Sequence, residues 1–261
     1  PARLFSIYTE LGGGYAVLAC GADRYFAMSA AAEQGLVAAG APAPRVQRVR
    51  PIVRPGFTLS PPVNARAALK LPEKGLVVLF NTGGEGISRP HPFISAYLAN
   101  VPEGVLLLAA GRNERLRQEV ADRFPPHRVR ALGFRRDIDT LMAASDLVAG
   151  KCGTAYVLEA QATGVPFIGT LVGAPTERPN IAHAVNHGYG WYAPTPQIFG
   201  RLLAGNRPRY GGYIVHLSIL MLAVGAIGSS FYSVQRDFAM RPGDTASLGD
   251  YTFRYLDLTH T

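Results

Sequence analysis

Four loops in this sequence carry residue types suited to a phosphorylated, sugar-bearing ligand. In "VVLFNTGGEGIS" an apolar run leads into Gly83, Gly84 and Gly86 ahead of a helical pattern. Glycines let a backbone approach a diphosphate closely, and a helix amino end adds unpaired amides and a positive dipole. The spacing is not GxGxxG, because Arg89 stands at the third glycine position, and no Gly-Lys-Ser/Thr follows to make a P-loop. An ordinary tight turn is the alternative. In "AAGRNERL", Gly111, Arg112 and Asn113 follow another strand-like run. A guanidinium fork there can pair with phosphate, or be solvated. In "ALGFRRDID", backbone groups at Phe134 and Arg135 can meet a base edge, or Phe134 can be buried at a strand end beside two solvated arginines. The stretch from Lys151 to Gly190 is the richest. Glu159 falls about a turn and a half into the helix predicted after Gly153, where a carboxylate can accept both hydroxyls of a ribose. Eighteen residues later Glu177, with Asn180, opens the next helix. Each of these can also be a capping or surface residue.

Such residues meet only if the intervening elements bring their loops to one edge. From Gly75 to about Gly190, the runs "GLVVLFNT", "GVLLLAAG", "RVRALGF", "DLVAGK" and "VPFIGTL" read as strands. Between them "HPFISAYLANV", "NERLRQEVADRF", "DIDTLMAAS" and "AYVLEAQATG" repeat apolar residues three or four apart. Strands apolar throughout, separated by amphipathic helices, predict a parallel sheet covered on both faces, with ligands beyond the strands' carboxyl ends. Upstream, "LFSIYTE", "DRYFAMS", "AAAEQGLVAAG" and "RVQRVRPIV" carry further strand and helix signals, and the proline-containing "RPGFTLSPPVNARAALKLPEKG" reads as a crossing between lobes.

The 261 residues are 48% hydrophobic, ample for a core. A formal charge of +8 is scattered rather than massed in runs, so no nucleic-acid partner is expected. Cys20 and Cys152 show neither CxxC spacing nor a Cys/His cluster, and no metal site is expected. The opening from Pro1 lacks the pattern of a secretory signal and reads as a truncated start. Residues 211–234 contain no Asp, Glu, Lys or Arg, which predicts one transmembrane helix. Arg201, Arg207 and Arg209 precede that run, favouring a cytoplasmic side for the α/β part at the cytoplasmic membrane. Alternating residues around "RPGD" and "LGD" then predict a short extracytoplasmic β segment.

The pieces "ADRYF", "PIVRPGF", "GGEG", "GRNERL", "LGFRRDIDTLMAASDLV", "KCG", "EAQATGVPFI" and the Glu177–Asn180 loop occur in the order found in diacylglycerol glycosyltransferases related to MurG. From about Asp23 to Tyr192 the chain resembles that family. The resemblance implies the carboxyl-terminal domain of a two-domain GT-B fold, a Rossmann-like parallel sheet with a partial amino-terminal lobe. It implies a UDP-sugar as donor substrate, no cofactor required for transfer, and a membrane lipid acceptor. It places diphosphate at Gly83, Gly84 and Gly86, and uracil at the backbone of Phe134 and Arg135. It places ribose at Glu159, and the sugar-diphosphate region at Glu177 and Asn180, with Arg112, Asn113, Gly153 and Thr154 in the same donor set. Thr154 and Tyr156 stand where the family has proline and threonine, which bears on one phosphate contact. "IYTELGGGYAVLA" is similar to the family's Thr-Asp-Leu stretch, with Glu10 for the aspartate and no histidine shortly after. The general base is therefore unassigned, and an incomplete catalyst is expected.

A second resemblance covers about the last 60 residues. "RYGGYIVHL", "GSSF" and the "PGD…LGDYTFRY" pattern resemble a late membrane helix and β segment of the cytochrome c haem-lyase subunit CcmF. That family places a haem-ligating histidine on such a helix, and His216 is the matching position. The expected organisation is a partial first lobe over 1–62, a nucleotide-sugar domain over 63–197, a junction at 198–210, the span at 211–234 and the β segment at 235–261. Two alternatives stand beside sugar transfer: a fragment of a haem-handling cytochrome c assembly protein, and a nucleotide-binding remnant without turnover.

Overall fold

The computed structural model describes residues 2–12, 21–57, 64–86, 89–205 and 236–257. Its compact units are residues 1–205 and 206–261. The first unit contains two sheets. A small parallel one joins β1 (Phe5–Tyr8), β2 (Arg24–Ala27) and β3 (Val46–Arg48) in that order. Helix α1 (Ala30–Ala38) packs on it, its start capped by Ser29 Oγ, which accepts from the Ala32 amide at 3.0 Å. A core of Tyr8, Tyr25, Ala32 and Leu36 closes between them.

After a short helix α2 (Ala65–Ala68) comes the large sheet. Its strands are β4 (Leu76–Asn81), β5 (Gly104–Ala109), β6 (Val129–Leu132), β7 (Leu147–Lys151), β8 (Phe167–Leu171) and β9 (Gly190–Tyr192). They pair in parallel in the order β6-β5-β4-β7-β8-β9. The helices are α3 (His91–Asn100), α4 (Glu114–Arg123), α5 (Ile138–Ala143), α6 (Thr154–Thr163), α7 (Arg178–Asn186) and α8 (Pro196–Gly205).

The continuous apolar strands follow from this layering. Val77, Leu79, Val105, Leu107 and Val148 point to one face and pack with Met142, Val157 and Ile181 from α5, α6 and α7. Their neighbours Val78, Phe80, Leu106, Leu108 and Leu147 point to the other and pack with Ile94, Val120 and Phe199 from α3, α4 and α8. Both faces are covered, so period-two alternation has no reason to appear. Strand order reverses between β4 and β7, and the loops after these two strands open onto the switch point, the usual ligand crevice of such sheets.

Residues 198–205, expected within a junction, instead belong to α8, whose Phe199 and Leu203 are buried in the second core. The predicted span at 211–234 lies outside the described residues; among those described, no helix is long and apolar enough to cross a membrane. In the second unit, β10 (Thr245–Leu248) and β11 (Tyr251–Arg254) form an antiparallel hairpin, turning at Gly249 with φ +59°.

Candidate active site

Two connected recesses open at the switch point. The larger, about 690 Å³, is walled by the loops after β4 and β7, the start of α6, and residues of the first lobe and crossing, including Glu10, Met28 and Arg54. The smaller, about 220 Å³, extends past Gly111 to Gly133, Phe134 and Arg135, and shares Arg54, Gly83, Gly84 and Glu159 with its neighbour.

The β4 loop is shaped by backbone constraints. Asn81 Oδ1 accepts from the Gly83 amide at 2.9 Å, and Gly83 and Gly86 adopt φ +83° and +63°. A Cβ on Gly86 would lie 2.4 Å from the Ala110 carbonyl, so this glycine allows two loops to pack. Gly84 has open space around its Cα, where a ligand can approach. Asn113 caps α4, its Oδ1 accepting from Leu116 at 2.9 Å while Nδ2 donates to Gly86 O at 3.0 Å. Gly86 and Asn113 thus stand behind the recesses rather than in their walls. Arg112 pairs with Glu85 at 2.5 Å, its guanidinium 5.0 Å from the Phe134 ring centroid. Phe134 is 54% exposed, against the reading of a buried strand-end residue, because it sits on the loop beyond β6 and presents a ring beneath a cation. Arg135 is paired with Asp137, whose carboxyl is held below the usual range by that hydrogen bond.

On the other side of the switch point, β7 ends in an irregular register at Gly150–Lys151. Gly150 has φ +129°, and a Cβ there would fall 2.0 Å from the Asn81 carbonyl, so only glycine lets β7 lie this close to β4. Lys151 leaves the strand end to pair with Glu177 Oε1, while Glu177 Oε2 accepts from the Gly173 amide at 2.6 Å. Gly153 is the N-cap of α6, and Thr154 is its first residue. Glu159, 2% exposed, is paired with Arg54, whose Nε donates to Oε1 at 2.6 Å. That hydrogen bond raises the Arg54 pKa. Asn180 is fully buried, donating through Nδ2 to Cys152 O at 2.9 Å and Thr154 Oγ1 at 3.0 Å. The Thr154 hydroxyl in turn donates to Glu10 Oε2.

Gly83, Gly84, Gly153, Thr154, Glu159 and Glu177 therefore line one cleft, and Phe134 and Arg135 line the recess beside it. Arg112 reaches the recess through Phe134, and Asn180 supports Thr154 from behind. His216 lies outside the described residues. Arg54 and Lys151 were not among the expected site residues. Lys151 carried a signal, a basic residue at a strand's carboxyl end before glycine; the Arg54–Glu159 contact, 105 residues apart, carried none.

No family model matches the chain. Monogalactosyldiacylglycerol synthase 1 of Arabidopsis thaliana is 29% identical over 161 residues, 58% of this chain and 30% of that protein. The cytochrome c-type biogenesis protein CcmF of Pseudomonas aeruginosa is 44% identical over 54 residues, 21% of this chain and only 8% of that protein. The chain thus spans about a third or less of the curated relatives it matches first. Among solved structures, Anabaena Alr3699/HepE in complex with UDP and glucose aligns with a TM-score of 0.53 at 20% identity, over 77% of this chain and 61% of that one. MurG of Acinetobacter baumannii aligns with a TM-score of 0.52 at 17% identity, over 78% and 58%. At these identities the structural likeness establishes the fold: the first unit has the parallel-sheet α/β architecture of the GT-B glycosyltransferases.

Proposed function

We propose that the cleft between β4 and β7 binds a UDP-sugar and that the chain transfers the sugar to the hydroxyl of a membrane lipid. The observation that carries this reading is the convergence, at the sheet's switch point, of a glycine turn open at Gly84, a buried carboxylate at Glu159 and a recess floored by Phe134. Each suits one part of such a donor. The Gly83–Gly84 backbone admits the diphosphate, with Arg54 and Lys151 as the cations at hand. Glu159 accepts the ribose hydroxyls and the Phe134–Arg135 loop meets the uracil edge. Glu177, fixed by Lys151 and the Gly173 amide, faces the sugar. The acceptor class is supported by the lipid product in the relative's name, monogalactosyldiacylglycerol.

Incubating the full chain with radiolabelled UDP-galactose or UDP-glucose and diacylglycerol vesicles tests this. Label appearing in the lipid phase is expected; a chain that binds UDP without releasing sugar is a nucleotide-binding remnant instead.

A further inference from the structure

Three glutamates line the cleft: Glu10, Glu159 and Glu177. Two are already neutralised, Glu159 by Arg54 and Glu177 by Lys151. Glu10 has no cation partner among the described residues. Only neutral groups hold it, the Thr154 hydroxyl and, at 3.4 Å, Asn180 Nδ2, and both bond the same oxygen, Oε2. Oε1 has no partner among the described residues. The carboxylate is thus fixed by one oxygen and open at the other. It also comes from the first lobe, on the loop after β1, whereas the glycine turn and Glu159 belong to the large-sheet domain.

We propose that Glu10 is the general base of the transfer, an inference that rests on the function proposed above. A hydroxyl becomes an adequate nucleophile only as its proton is removed, and the acceptor of that proton must lie within hydrogen-bond reach. A carboxylate engaged by a cation offers less to an incoming proton, which disfavours Glu159 and Glu177 for this task. Glu10 Oε1 takes the proton of the acceptor hydroxyl while its oxygen bonds to the anomeric carbon. The bond from that carbon to the diphosphate oxygen breaks, and its electron pair leaves with UDP. Glu10 then returns the proton to solvent. Thr154 and Asn180 do not touch the reacting atoms; they hold Oε2 so that Oε1 keeps one direction.

The test uses the full chain in the transfer assay, with UDP affinity measured in parallel by calorimetry. Glu10→Gln preserves an acceptor oxygen for Thr154 and Asn180 but cannot take a proton. It is expected to lower kcat by roughly 10²–10⁴-fold, with Kd for UDP within about twofold of wild type. Adding sodium formate to Glu10→Ala, which supplies a carboxylate to the vacated space, is expected to restore part of the lost rate. A Glu10→Gln kcat within about threefold of wild type overturns the proposal, as does a loss confined to KM, or a wild type that binds UDP without transferring. A wild type that does not bind UDP overturns the underlying function and this proposal with it; UDP binding with a kcat indifferent to Glu10 overturns this proposal alone.

Discussion

The carboxylate of Glu159 is the most buried of the three in the cleft, and Arg54 is its ion-pair partner. The pair is asymmetric. Arg54 is 59% exposed and stacks on Phe57 at 5.0 Å, so it can be released to water, whereas an unpaired Glu159 cannot. Removing the carboxylate is therefore the cleaner experiment. A second local contrast lies among the glycines. Gly84 has no atom within 4 Å of a built Cβ and no positive φ, so Gly84→Ala should leave the melting temperature unchanged. If a diphosphate approaches this backbone, the added methyl should weaken UDP binding about tenfold, roughly 1.4 kcal/mol. Calorimetry and a thermal melt on that variant check both halves; unchanged affinity would remove Gly84 from the donor site. The loops that carry Gly83, Gly84, Glu159 and Glu177 to the cleft could be read in the sequence because they follow recognisable strands, whereas Gly86 stands behind it. Phe134 was ambiguous, because aromatic residues at strand ends are buried or exposed according to what packs beyond them.

Most strands and helices between residues 75 and 190 could be read directly, since both sheet faces are buried and the central strands β4 and β5 are runs of Val, Leu and Phe. The exceptions have physical causes. β9 is three residues long with Trp191 and Tyr192 exposed, so it carries neither an apolar run nor alternation. Helix α8 runs on into the expected junction because Phe199 and Leu203 give it an apolar face to bury, and its Pro196 suits a helix's first turn. Helix α7 carries a pH-sensitive contact. His183 Nε2 lies 3.2 Å from Gln161 Oε1 on α6, with the His187 ring 4.0 Å away and Tyr189 edge-on. Burial, then the neighbouring His187, lowers the His183 pKa below its ordinary 6.5. The folded state thus resists a proton that the unfolded chain accepts. This contribution to stability is full above about pH 6.5 and declines as pH falls through the window between that value and the lowered one. Melting temperatures of wild type and His183→Gln from pH 7.5 to 5 check the sign: the wild type should lose stability more steeply on acidification, and parallel curves would refute it.

The molecule as a whole comprises two compact units. Residues 1–205 carry the two parallel sheets and the cleft, and residues 206–261 include the uncharged run and a two-stranded hairpin. Composition marks the run from 211 to 234 as free of Asp, Glu, Lys and Arg, whereas the first unit extends through α8 to Gly205. Composition could not reveal how the first lobe completes the cleft. Glu10 meets Thr154 and Asn180, Gly12 lies close enough to Pro179 that a Cβ would sit 2.1 Å from its ring, and Leu11 and Met28 pack on Leu158. These contacts span well over a hundred residues of chain and follow only from the fold. The central claim is that this composite cleft is a UDP site with Glu159 at its ribose position. Isothermal titration of UDP into the full chain and into Glu159→Ala tests it most directly. The account predicts saturable one-to-one binding by the wild type, weakened at least about tenfold in the variant at an unaltered far-ultraviolet circular dichroism spectrum. Absence of UDP binding by the folded wild type, or equal affinity in both proteins, would contradict it.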